Sequence, residues 1–153
     1  NTSVKFRTDV CSSCKLGFDI DLKSLSEDDY KFVQQAVKNY NSMKPVILEG
    51  DQYRLVSPYE GSHCAVNYVS KDKQRAVLFA YDLHPRYKEP QMNVKLQGLN
   101  PTKLYTVKET NLMPGKTSEL ECDGKQYSGD YLMKVGLSVF SAQDGTSHVL
   151  TLE

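Results

Sequence analysis

Up to about residue 50 the apolar residues of this chain recur at three- and four-residue steps, and beyond it they alternate with period two. A helical face and a pleated face cannot be the same surface, so the change of period sets a boundary between residues 1–50 and 51–153. On the helical side, Ser26 suits an N-cap. Glu27, Asp28 and Asp29 follow it with the negative charge that a helix N-terminus favours. Tyr30, Val33, Val37 and Tyr40 make the expected apolar stripe, and Pro45 is expected to end or kink the helix, with Gly50-Asp51 as the exit. Upstream, residues 4–13 suit a helix, and Lys15–Ile20 alternates well enough for one short strand.

After residue 51 the pattern predicts strands near Tyr53–Val56, Ala65–Ser70, Arg75–Tyr81, Asn93–Gln97, Leu104–Glu109, Tyr131–Phe140 and Thr146–Leu152, with a shorter one around Ser118–Cys122. Asn100-Pro101, Pro114-Gly115, Asp123-Gly124 and Asp144-Gly145 supply turn chemistry between them, and Asp144-Gly145 gives the clearest hairpin signal. Ala76–Tyr81 is unbroken apolar sequence, which fits a central strand covered on both faces. The expected fold is mainly β: an antiparallel β-sandwich preceded by a short α/β segment. Val66, Val77, Phe79, Val107, Val135, Leu137 and Val149 should lie in its core.

Lys plus Arg and Asp plus Glu each number 19, giving zero formal net charge, and no block of like charges stands out. That argues against nucleic acid and anionic membrane as partners. No apolar stretch reaches the length of a membrane span. The opening residues lack an initiator Met and the layout of a signal peptide, so the natural N-terminus is expected to lie upstream and the compartment cannot be read. Cys11 and Cys14 form a C-x-x-C without a second half, and His63, His84 and His148 show no ligand-like spacing. Packed thiols, with no metal and no cofactor, are therefore the expectation.

Two groups of residues suit sugar chemistry. Asp19 and Asp21 fall on one side at the end of the expected short strand. In a β/α barrel that end faces the active site, although both residues equally suit capping the next helix. Tyr81–Tyr87 gathers an acid, a His, an Arg and two aromatics in one loop, where ordinary turn-making and packing also use such residues. A free-standing carbohydrate-binding or adhesion module is a second reading of a β-sandwich this size. Its weakness is that Trp is absent and several of the ten Tyr, among them Tyr68, Tyr81, Tyr105 and Tyr131, sit inside strand patterns where burial is the default.

Taken together, several phrases resemble the C-terminal third of the glycoside hydrolase family 36 α-galactosidases. Val4–Val10, Leu16–Asp21 and the helix over Ser26–Met43 resemble the end of that family's catalytic barrel, and Gly50–Tyr59 the junction into its C-terminal sandwich. Ala76–Tyr81, Leu96–Pro101, Tyr105–Glu109, Asn111–Gly115 and Tyr127–Met133 continue the likeness in the same order. The resemblance implies that residues 1–50 are the tail of a (β/α)8 barrel and residues 51–153 a sandwich packed against it. It implies a parent enzyme that hydrolyses terminal α-linked galactose with retention, using two Asp residues on upstream barrel strands. No catalytic, cofactor or metal residue is carried over to this chain. Its expected partners are the parent's own barrel and, through it, the α-galactoside; a homo-oligomer is also compatible. The Cys11-x-x-Cys14 pair departs from the small residues the family pattern would place there.

Overall fold

The apolar run becomes the middle of the molecule. In the computed structural model, which describes residues 2–141 and 143–153, every residue of strand β3 (Ala76–Asp82) is buried. Two helices precede the strands: α1 (Val4–Ser12) and, after a 3-10 turn at Leu22–Ser24, α2 (Glu27–Glu49). Strands β1 (Asp51–Val56), β2 (His63–Val69), β3 and β4 (Leu104–Thr110) follow, then the short β5 (Gln126–Ser128), helix α3 (Gly129–Lys134) and β6 (Thr146–Leu152). The six strands form one sheet in the order β1-β2-β3-β6-β4-β5, with every neighbouring pair antiparallel. This is the mainly β, antiparallel architecture behind a helical start that the pattern predicts.

Alternation along β3 sends Val77, Phe79 and Tyr81 to one face and Leu78 and Ala80 to the other. On the first face α2 lays down Tyr40, Met43, Val46 and Ile47 against Tyr68, Phe79 and Val149. On the second, Leu78, Val107, Leu150 and Leu152 are covered by Leu132 of α3 and by Val94, Leu96, Leu99, Leu137 and Val139 from irregular chain. That second cover contains a single β-bridge, Val94 with Leu137, whose two backbone hydrogen bonds measure 2.8 and 3.0 Å.

Several local expectations need correction. Lys15–Ile20 is not a strand: among the described residues none forms a ladder with it. The stretches at 93–97 and 118–122 have no ladder, and 131–134 belongs to α3, whose N-cap Ser128 accepts from Tyr131 N. Gly136 then takes φ +81°, with a hypothetical Cβ only 2.2 Å from the Val94 carbonyl oxygen, so the chain turns there and Val135 is left exposed instead of in the core. Asp144-Gly145 closes no hairpin: β6 pairs with β3 and β4, and Gly145 N donates to Asp82 O. Helix α2 starts at the expected cap, with Asp29 N donating to Ser26 Oγ at 3.1 Å, yet it runs through Pro45 to Glu49. The missing N–H and ring clash cost about 3 kcal/mol. Burial of Met43, Val46 and Ile47 on either side of the proline offsets that cost. The buried stripe is centred on Phe32, Ala36, Tyr40 and Met43, so Val33 is inside while Tyr30 and Val37 are exposed.

Candidate functional site

Helix α1 is too short and too polar to hold itself on the sheet by apolar burial, and it is fastened by hydrogen bonds instead. Asp9 is fully buried. Its carboxylate accepts from Asn111 Nδ2 at 2.8 Å and Ser147 Oγ at 2.6 Å and pairs with Lys5 Nζ at 2.6 Å. Asn111 is held in turn by Asn39 Nδ2 of α2 at 2.9 Å, so one carboxylate links α1 to β6, to the end of β4 and to α2. Three phenols then take carbonyl oxygens at the end of α1: Tyr81 OH donates to Asp9 O at 3.0 Å, Tyr68 OH to Ser13 O and Tyr40 OH to Cys14 O at 2.7 Å. One of these, Asp9 O, is a carbonyl that the last turn of the helix leaves open, and the other two belong to the chain just after it. Burial, with the Asp9 charge adding to it, pushes the Tyr81 phenol well above its ordinary value, so it stays a donor. Nothing in the sequence marked Asp9, Asn111 or Ser147. Their contacts span 102 and 138 residues, and only the fold brings them together.

A second polar cluster lies on the other face of the sheet. Asp82 is fully buried and accepts from Ser141 N at 2.9 Å, Ser141 Oγ at 3.0 Å and Thr146 Oγ1 at 2.9 Å. His63 Nδ1 stands 2.8 Å from its other oxygen, off the line of a hydrogen bond, and the His63 ring stacks on Phe140. Nearby, His148 Nδ1 lies 2.6 Å from Glu109 Oε1 while Ser118 donates to Glu109 Oε2. Asp82 through one oxygen and Glu109 through both thus engage fixed partners that pin loops to the sheet. Glycoside hydrolysis needs two carboxyl groups facing each other across a gap that admits the sugar bond. Among the described residues no three His, Cys, Asp or Glu side chains are placed to hold a metal ion.

The residues singled out from sequence do not converge. Asp19 and Asp21 are exposed, and Asp21 caps the 3-10 turn through Lys23 N at 3.0 Å. The 81–87 loop divides: Tyr81 and Asp82 point inward, His84 meets Asp144 at 3.3 Å in solvent, and Tyr87 is 91% exposed. Cys11 and Cys14 are exposed, not packed, because α1 turns Thr8, Asp9 and Ser12 toward the sheet.

What the helix-bearing side does present is uncovered apolar surface. A groove of about 740 Å³ runs between α1 and the β1–β2 end of the sheet, lined by Phe6, Val10, Arg54, Tyr59, Cys64 and Val66 among others. On the outer side of α2, Tyr30, Val37 and Leu48 recur at seven and eleven residues, which is one face of a helix, and each is about two-fifths exposed. Exposed Gln34, Asn41 and Lys44 lie between them, so these are separated apolar side chains on a mixed face, and the contiguous apolar surface on this side is the groove beside α1.

Comparison with known proteins agrees with this geometry. The model of the glycosyl hydrolase family 36 C-terminal domain matches residues 63–152. Probable alpha-galactosidase C of Aspergillus oryzae is 33% identical over 152 residues, covering 98% of this chain and 18% of that protein. Alpha-galactosidase 1 of Pediococcus pentosaceus is 32% identical over 136 residues, covering 88% of this chain and 17% of that protein. The crystal structure of the GH36 alpha-galactosidase AgaB from Geobacillus stearothermophilus superposes on the whole chain with a TM-score of 0.85 at 27% identity, using 19% of its own length. The chain thus spans less than a fifth of the length of these relatives.

Proposed function

This chain belongs to glycosyl hydrolase family 36, whose C-terminal domain it carries, and from that premise we propose that it is the structural C-terminal part of an α-galactosidase. In this reading the whole enzyme hydrolyses terminal α-linked galactose with retention, and both catalytic carboxyl groups stand on the barrel outside these residues. Residues 1–50 are the tail of that barrel and residues 51–153 the domain packed against it. Asp19 and Asp21 have no catalytic role. The chain contributes surface: the groove beside α1 and the Tyr30, Val37 and Leu48 face of α2 receive the rest of the catalytic part, and the buried Asp9 network holds those surfaces at a fixed angle to the sheet.

The observation that carries this reading is the pairing of an end-to-end likeness to about a fifth of several α-galactosidases with apolar side chains left exposed on the helix-bearing side. The test is a nitrophenyl α-galactoside assay. The isolated chain is expected to give no turnover above buffer, and the same residues joined to an upstream family 36 barrel are expected to restore it. Turnover by the pure isolated chain, or an active barrel that gains nothing from this chain, overturns the reading.

A further inference from the structure

We propose that the face of the sheet opposite α1 and α2 carries a binding site for one neutral hexopyranose unit, built on the stacked pair Tyr127 of β5 and Tyr131 of α3. The two rings lie 5.2 Å apart, 19° from parallel. Tyr127 is half-buried against the core, and Tyr131, 42% exposed, stacks on it and offers solvent a ring held in place from behind. Beside the pair is an open basin of about 260 Å³ with Cys122, Gly136 and Leu137 as a buried floor. Its exposed rim carries Asn93, Glu121 and Ser138. Asn93 Nδ2 donates to Val135 O at 3.2 Å, which fixes the amide and leaves its carbonyl oxygen to accept. Lys125 holds Glu121 at 3.2 Å and offsets its charge.

A pyranose has the complementary chemistry. One side of the ring is a patch of C–H groups carrying slight positive charge, which favours the electron-rich face of an aromatic ring. Its edge is a ring of hydroxyls that can donate to the Glu121 carboxylate and the Asn93 carbonyl and exchange hydrogen bonds with Ser138. With Glu121 and Lys125 paired, the rim carries no net charge to favour phosphates or other anions, and the size of the basin suits one ring better than a peptide. A preorganised aromatic beside a few fixed polar groups is the usual composition of a small-molecule site. With one stacked ring and an open basin, millimolar affinity is the expectation.

Methyl α-galactopyranoside is the probe, a choice that rests on the proposed activity. Binding is read in this chain itself by isotope-edited NMR, so the answer does not depend on whether a parent enzyme cleaves the sugar. The backbone amides of Asn93, Glu121, Tyr127, Tyr131 and Ser138 should shift and saturate in the millimolar range. Tyr131→Phe should bind as the parent chain does, because stacking needs no hydroxyl, while Tyr131→Ala should weaken binding about tenfold or more, the step expected from losing the platform. Should Tyr131→Ala fail to give a folded spectrum, the exposed pair Asn93→Ala and Glu121→Ala carries the same test. Shifts that stay linear in sugar, shifts confined to the groove beside α1, or unchanged binding by a folded Tyr131→Ala chain overturn the proposal.

Discussion

Asp9 is the residue on which most of the tertiary structure of the N-terminal segment turns, since its carboxylate is the common acceptor of Lys5, Asn111 and Ser147. Asp9→Ala leaves Asn111 and Ser147 buried without this acceptor and Lys5 half-buried without its counter-charge, and is expected to cost about 3–5 kcal/mol, the range for breaking a buried pair from one side. Urea unfolding of the isolated chain checks it, with Asp9→Asn predicted to be milder. Cys122 supplies a pH test. Burial raises its thiol from 9.0 to about 11, so above pH 9 the unfolded chain releases a proton that the native chain keeps. The thiol's contribution is complete below pH 9 and is lost as the pH rises toward 11. The Cys122→Ala chain should therefore lose less stability than the parent chain between pH 9 and 10.5, measured by denaturant midpoint. At the same mildly alkaline pH, Cys11 and Cys14 should react with a thiol reagent in the folded state while Cys122 does not. None of this was legible in the sequence. A lone Asp within Val4–Val10 looks like any helix-surface acid until the fold delivers partners from residues 111 and 147.

At the level of elements, the period of the apolar residues located β2, β3, β4, β6 and α2 within a few residues, because each buries one or both faces and burial is what periodicity records. It also predicted strands at 93–97 and 131–140, where the structure has one β-bridge and a short helix. Alternation reports that a segment lies with one side on a core and does not report whether a neighbouring backbone is there to pair with. Val94 and Leu96, and later Leu137 and Val139, alternate in and out without a ladder. Gly136 is the hinge of that second cover. Gly136→Ala is expected to destabilise the chain by about 2 kcal/mol or more, since it meets both a positive φ and the Val94 carbonyl. Gly124→Ala has a similar φ of +77° but open space around the new methyl, so it should cost about 1 kcal/mol. Thermal melts of the two variants measure the difference.

For the molecule as a whole, the change of period at residue 50 gave the boundary, and the order of phrases on both sides of it was enough to indicate the family. Which apolar residues of α2 stay exposed was not legible, because Tyr30 and Val37 belong in sequence to the same stripe as Val33 and Tyr40, and only packing separates the buried pair from the exposed one. Substituting Tyr30, Val37 and Leu48 by Ser is expected to lower the melting temperature of this chain only modestly, since each side chain still exposes about two-fifths of its surface. The same change in a full-length family 36 enzyme should lower its stability by several kcal/mol, about 1.5–3 kcal/mol for each side chain that becomes fully buried there. Without the remainder of the enzyme, the uncovered side also invites self-association. Light scattering should show a mass that rises with concentration for the parent chain and less so for the triple variant. The clasp of Tyr40, Tyr68 and Tyr81 on the end of α1 has one more consequence. A protease that cut the backbone at Gly50-Asp51, where the pattern changes, would sever the polymer without parting the pieces, and the two halves would travel through a sizing column as a single nicked particle.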